Sequence, residues 1–120
     1  TLVITMILSL GMGFANAQSN SLTLELNKPF ERELAGEKLH TYKVTLKAGE
    51  FIQVQVVQKG IDIVLSFHSA KGLKLTGIDS PNSISGFETL SWVAKTAGVY
   101  QIKVNRLEQT GNSEKGNYSI

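Results

Sequence analysis

His40-Thr41-Tyr42-Lys43-Val44-Thr45-Leu46-Lys47-Ala48-Gly49-Glu50-Phe51-Ile52-Gln53-Val54-Gln55-Val56 is the stretch that decides the fold. His40, Tyr42, Val44 and Leu46 alternate with Thr41, Lys43, Thr45 and Lys47. After the Lys47-Ala48-Gly49-Glu50 break, Ile52, Val54 and Val56 alternate with Gln53 and Gln55. A period of two is that of a strand with one face in a core and the other in water. Two such runs joined by a glycine turn are β-structure, and no helical reading fits them.

The same period extends outward in both directions. Leu22, Leu24 and Leu26 alternate with Thr23 and Glu25, and Tyr100, Ile102 and Val104 alternate with Gln101 and Lys103. Further strands are expected at Phe30–Leu34, Ile61–His68, Leu73–Ile78, Thr89–Ala94 and Asn117–Ile120. Turn signals built on Gly36, Gly60, Gly72, Gly98 and Gly111 separate these runs, and no window holds a helical apolar stripe. Eight or nine short antiparallel strands cannot bury their apolar faces in one flat sheet. The expected fold is therefore all-β, a sandwich of jelly-roll or Greek-key type. Trp92, in phase with Leu90 and Ala94, should face its core.

The longest irregular stretch is Asp79-Ser80-Pro81-Asn82-Ser83-Ile84-Ser85-Gly86-Phe87-Glu88. Loops held by a rigid sandwich often carry binding, which makes Ile84 and Phe87 candidate ligand contacts. The alternative is that both side chains cap an open end of the core. Asp62, which follows Gly60 and opens an otherwise apolar strand, is expected to be structural. A carboxylate there can accept backbone N–H groups and fix the turn, or pair with a lysine.

The chain has 120 residues, 12 of them Lys or Arg and 10 Asp or Glu, with no charged side chain before Glu25. Leu2–Phe14 is an apolar run of the length of a secretory h-region, too short to span a bilayer, and Ala15-Asn16-Ala17 fits a signal-peptidase site. The expectation is a signal peptide over residues 1–17, its basic start missing, and a domain over 18–120. A buried element of the fold or an uncleaved anchor are the competing readings. The last residues, Tyr118-Ser119-Ile120, stop inside what reads as a strand, so a longer natural protein is expected.

Composition excludes more than it identifies. A net charge of +2 without a basic run gives no reason to expect nucleic acid as a partner. Zero cysteines remove thiolate metal sites, thiol catalysis and disulfides together. His40 and His68 lack metal-ligand spacing, and His40 falls on the inward phase, where a hydrogen-bonded core histidine is expected. Glu31 and Glu33 flank Arg32 as on a solvated edge strand, and neither a Gly-x-Ser-x-Gly elbow nor a phosphate loop is present. No catalytic residue, metal or cofactor is expected.

Three stretches in order, His40–Glu50, Gly60–Leu75, and Leu90–Val104 closing at Gly116–Ile120, carry a resemblance. Together they resemble the bacterial pre-peptidase C-terminal domain family, β-sandwiches appended to secreted proteases and other exported proteins. The closer variety lies near the N-terminus of secreted tetratricopeptide-repeat proteins, some of which end in a caspase-like CHAT domain. The Thr96-Ala97-Gly98-Val99-Tyr100 strand start is the most specific piece, and the likeness runs from Leu22 to Ile120. It implies an accessory domain without an active site. Some relatives bind calcium through clustered acidic residues, but Asp62 and Asp79 stand alone here, which argues against calcium.

The expected task is interaction, in a secreted, periplasmic or cell-envelope setting. Its partners would be further domains of the same polypeptide, other proteins or envelope components. The rival reading is a carbohydrate-binding module taking polysaccharide. That reading needs aromatic platforms, and Thr41, Lys43, Thr45, Gln53, Gln55, Gln101 and Lys103 supply none on the outward phase. Phe51 and Phe87 are the aromatics left for it.

Overall fold

A computed structural model describes residues 21–35, 39–78, 85–107 and 115–120. These form nine strands: β1 (Ser21–Thr23), β2 (Glu31–Ala35), β3 (Leu39–Leu46), β4 (Phe51–Lys59), β5 (Ile63–His68), β6 (Lys74–Ile78), β7 (Ser85–Val93), β8 (Gly98–Arg106) and β9 (Lys115–Ser119). No described residue is helical. The strands build a five-stranded sheet in the order β1-β3-β8-β5-β6 and a four-stranded sheet in the order β2-β9-β4-β7. The fold is the β-sandwich that the alternating pattern requires.

The connections explain why both sheets are needed. Only β5 and β6 form a hairpin within one sheet; every other consecutive pair of strands crosses between sheets. The turn after β3 makes one crossing, with Gly49 at φ 86 and the Glu50 carboxylate accepting the Lys47 N–H at 2.6 Å. The same turn docks on the end of β7, Gly49 N–H donating to the Ala94 carbonyl at 2.7 Å and Ala94 N–H to that of Glu50 at 2.8 Å. At the start of β8, Tyr100 O–H donates to the Thr96 carbonyl at 2.6 Å. The Thr96–Tyr100 motif is thus a turn closed by its own tyrosine, comparable to the tyrosine corner of other sandwiches.

Three expectations need correction. β1 is not antiparallel: it pairs with β3 in parallel, Ser21 opposite Thr41, because the chain leaves it for β2 in the other sheet before returning as β3. It is also short, and Leu26 lies beyond it at 88% exposure instead of continuing the alternation. Finally, β7 begins at Ser85, four residues before the expected Thr89. Ser85–Glu88 therefore belong to a strand, paired with Lys59–Val56 of β4, and not to a loop.

Inward residues of both sheets meet in one core. Tyr42, Ile63, Leu65, Phe67, Ile102 and Val104 come from the five-stranded sheet, and Leu34, Val56, Leu90 and Tyr118 from the other. Phe67 stacks on Tyr100 at 5.3 Å between centroids and lies 6.0 Å from the half-buried Trp92 across the sandwich. Such ring pairs add about 0.5–1.5 kcal/mol each beyond the area they bury.

One polar tie crosses the core. The Tyr42 and Tyr118 hydroxyls are hydrogen-bonded to each other, and His40 Nδ1 lies 2.7 Å from the Tyr118 oxygen. The Arg32 guanidinium sits 5.9 Å above the Tyr42 ring. Burial, then the Tyr42 hydroxyl, push the Tyr118 phenol far above its usual range, so it stays protonated and donates or accepts as a neutral group.

Candidate functional site

The outer face of the four-stranded sheet is the surface that the sequence alone does not assemble. Register places Phe51 opposite Val93, Gln53 opposite Ser91, Gln55 opposite Thr89, and Val57 opposite Phe87. All eight lie on the outward phase of β4 and β7, since Val54, Val56, Leu90 and Glu88 between them are buried. Phe51, Phe87 and Val93 are 63%, 54% and 53% exposed. Two apolar pairs thus bracket a strip of amides and hydroxyls. Six residues of strand separate them, about 20 Å.

On the outward phase of these strands no ionisable side chain stands between the two phenylalanines, Glu88 being turned inward. Beyond that strip, at the far end of β4, Lys59 is paired with Glu31 at 2.8 Å, and Glu31 also accepts from Asn117 at 3.2 Å. These contacts hold the Glu31 carboxyl below its ordinary range. Chemically, the face offers two apolar rings for stacking and neutral donors and acceptors between them.

The sequence matches no protein-family model and no curated protein. Solved structures do resemble the fold. The pre-peptidase C-terminal domain of collagenase from Bacillus anthracis aligns with a TM-score of 0.61 at 16% identity, over 82% of this chain and 90% of that one. This chain has a pre-peptidase C-terminal-like fold. Two further structures share the sandwich. PliG of Salmonella Typhimurium, a periplasmic inhibitor of g-type lysozyme, has a TM-score of 0.55 at 15% identity, over 83% of this chain and 94% of that one. CorA of Methylomicrobium album BG8, a surface-associated copper-binding protein, has a TM-score of 0.57 at 8% identity, over 82% and 94%.

In this pre-peptidase C-terminal-like sandwich the expected site residues fall in separate places. Phe87 is neither in a loop nor a cap on the core: it projects outward from β7 opposite Val57. Ile84 lies outside the described residues. Asp62 is buried at 5% exposure, and its carbonyl accepts the Leu107 N–H at 2.9 Å, fastening the entry of β5 to the exit of β8. The neighbouring turn is bridged by a side chain that sequence reasoning missed. Buried Gln58 accepts the Ile63 N–H at 2.9 Å and donates to the Ser85 carbonyl at 3.1 Å. Its signal was available: Gln58 sits on the inward phase of β4, where an amide must find partners. His40 is the hydrogen-bonded core histidine expected of it, at 3% exposure.

The seven polar outward positions divide between faces. Gln53 and Gln55 belong to the face with the phenylalanines, whereas Thr41, Lys43, Thr45, Gln101 and Lys103 lie on the opposite side of the molecule. Among the described residues, no group of three or more His, Asp or Glu side chains is placed to hold a metal ion.

Proposed function

We propose that this chain is a non-catalytic accessory module of a larger exported protein, acting in the periplasm, at the cell envelope or in the medium. The observation that carries the reading is the fold's likeness, over 82% of this chain, to a domain of a collagenase. Two other proteins of the same shape are named as periplasmic and surface-associated. The uncharged leader ending at Ala15-Asn16-Ala17 supports the same compartment. The module's partners are then further domains of its own polypeptide, such as tetratricopeptide repeats, together with proteins or envelope components. Because sandwiches of one shape serve many tasks, the fold supports a role and not a ligand. The test is the N-terminus of the protein recovered from the periplasm or medium of a bacterium expressing the full gene. It should begin at Gln18; retention in the cytoplasm with residues 1–17 attached would overturn the proposal.

A second reading, polysaccharide binding, gains from one specific observation: Phe51 and Phe87 share a face with Gln53, Gln55, Thr89 and Ser91 between them. Sugar rings stack their C–H faces on aromatic rings and exchange hydrogen bonds with amides and hydroxyls. Pull-down on insoluble polysaccharide and glycan-array binding test it. Binding should fall at least tenfold in both Phe51→Ala and Phe87→Ala at unchanged melting temperature. Binding that survives both, or is absent from the native chain, removes this reading.

A further inference from the structure

The outer face of the five-stranded sheet holds a cluster that neither reading uses. Ser66 and His68 stand on the outward phase of β5, yet they are only 7% and 8% exposed. Ser66 Oγ lies 2.9 Å from His68 Nε2, and His68 Nδ1 lies 3.4 Å from the Gly72 carbonyl oxygen. Ser66 is paired with Lys103 on β8 and with Gly77 on β6; His68 is paired with Gln101 and Lys74. A Cβ on Gly77 would stand 3.0 Å from Lys74 Cε and 3.2 Å from its Nζ. The end of the Lys74 side chain therefore lies over Gly77. Directly opposed Cβ positions are about 5 Å apart, so the ammonium lies within about 8 Å of the Ser66 Cβ.

Two lysines on flanking strands thus bracket one buried hydroxyl–imidazole pair. The next outward positions are Gln101, Asn105, Thr41 and Lys43, and no carboxylate stands on these strands' outer face among the described residues. Burial lowers the His68 pKa from its ordinary value; the hydrogen bond to the Gly72 carbonyl opposes this, and Lys103 and Lys74 add smaller lowering effects. Lys74 is exposed and Lys103 half-buried, so the two flanking strands give this face a positive, solvent-reachable rim over a buried polar pair, a field that attracts anions.

We propose that Ser66, His68, Lys74 and Lys103 form a proton-coupled oxyanion site that takes a sulfate or phosphate group. In neutral His68, Nδ1–H donates to the Gly72 carbonyl and Nε2 accepts the Ser66 O–H, so the serine turns lone pairs outward. Protonated His68 donates from both nitrogens. The Ser66 oxygen then accepts from Nε2–H and its own O–H is freed to donate outward. One proton converts the floor of the site from acceptor to donor and adds positive charge between the two ammoniums. A tetrahedral oxyanion can turn a separate oxygen toward each of three donors on three adjacent strands, whereas a planar carboxylate must share its two oxygens among them.

The test is an NMR titration of the full chain with inorganic sulfate against chloride at matched ionic strength. Sulfate should give saturable shifts at Ser66, His68 and Lys103 and raise the His68 midpoint by about one unit. By reciprocity it then binds about tenfold tighter at low pH than at high pH. Lys74→Ala and Lys103→Ala should each weaken low-pH binding severalfold, and His68→Gln should abolish its pH dependence. Shifts that chloride reproduces overturn the proposal, as does sulfate binding unchanged in a folded variant lacking both lysines. A second arm identifies the carrier of the group. Dextran sulfate binding at least tenfold tighter per sulfate marks a polymer-borne group, and equal affinity marks the free ion.

Discussion

Tyr118 joins the two sheets through a single oxygen, which contacts both His40 Nδ1 and the Tyr42 hydroxyl. Removing that oxygen strands the buried Tyr42 hydroxyl, whereas removing the Tyr42 oxygen leaves Tyr118 bonded to His40. Tyr118→Phe should therefore cost about 1–3 kcal/mol and Tyr42→Phe about 0.5–1.5 kcal/mol, read from urea denaturation midpoints. Titration separates two other residues. His68 in the folded chain holds its proton less tightly than in the unfolded chain, whose value is the ordinary 6.5. Its neutral form favours the fold, so its contribution is complete above that value and declines as pH falls through the folded pKa. Glu31 is also depressed, so its stabilisation is lost at lower pH, below its ordinary 4.5. Melting temperature against pH should fall in two stages. His68→Gln should flatten the upper stage only, and sulfate should shrink it in the native chain.

At the scale of elements, what was legible depended on whether inward positions were apolar. β3 alternates from Tyr42 to Leu46, β4 from Ile52 to Val56 and β8 from Tyr100 to Val104, and their registers follow it. β7 hid its first half because Glu88, fully buried, occupies an inward position where the pattern expects an apolar side chain. Ser85-Gly86-Phe87-Glu88 therefore reads as loop, and Phe87 was separated from the face it shares with Phe51. β9 shows the opposite case, where spacing is tighter than composition implies. A Cβ on Gly116 would lie 2.7 Å from the Gly60 carbonyl carbon and oxygen and from Ile61 Cβ. Gly60 cannot readily give way, since it holds φ 100 at the end of β4. Gly116→Ala should cost about 3 kcal/mol or more by thermal denaturation, while Gly98→Ala, with open space around it, should cost far less.

For the whole molecule, the longest ladders join residues far apart in the chain. Leu39 pairs with Asn105 and Leu46 with Gly98 across β3 and β8, and β2 closes on β9. Loop closure must precede the contacts that reward it, so refolding should take milliseconds to seconds, not microseconds. Stopped-flow refolding that finished within the mixing dead time would contradict this topology. The sequence by itself determined that the chain is all-β, that its strands bury one side each, and that they must form two layers. Those properties follow from local alternation and turn chemistry. Only the tertiary structure decided the parallel pairing of β1, the face shared by Phe51 and Phe87, and the placing of Lys74 and Lys103 on the two strands that flank Ser66. Each depends on which strand becomes whose neighbour, and neighbours are chosen by packing between distant segments, which no local period records.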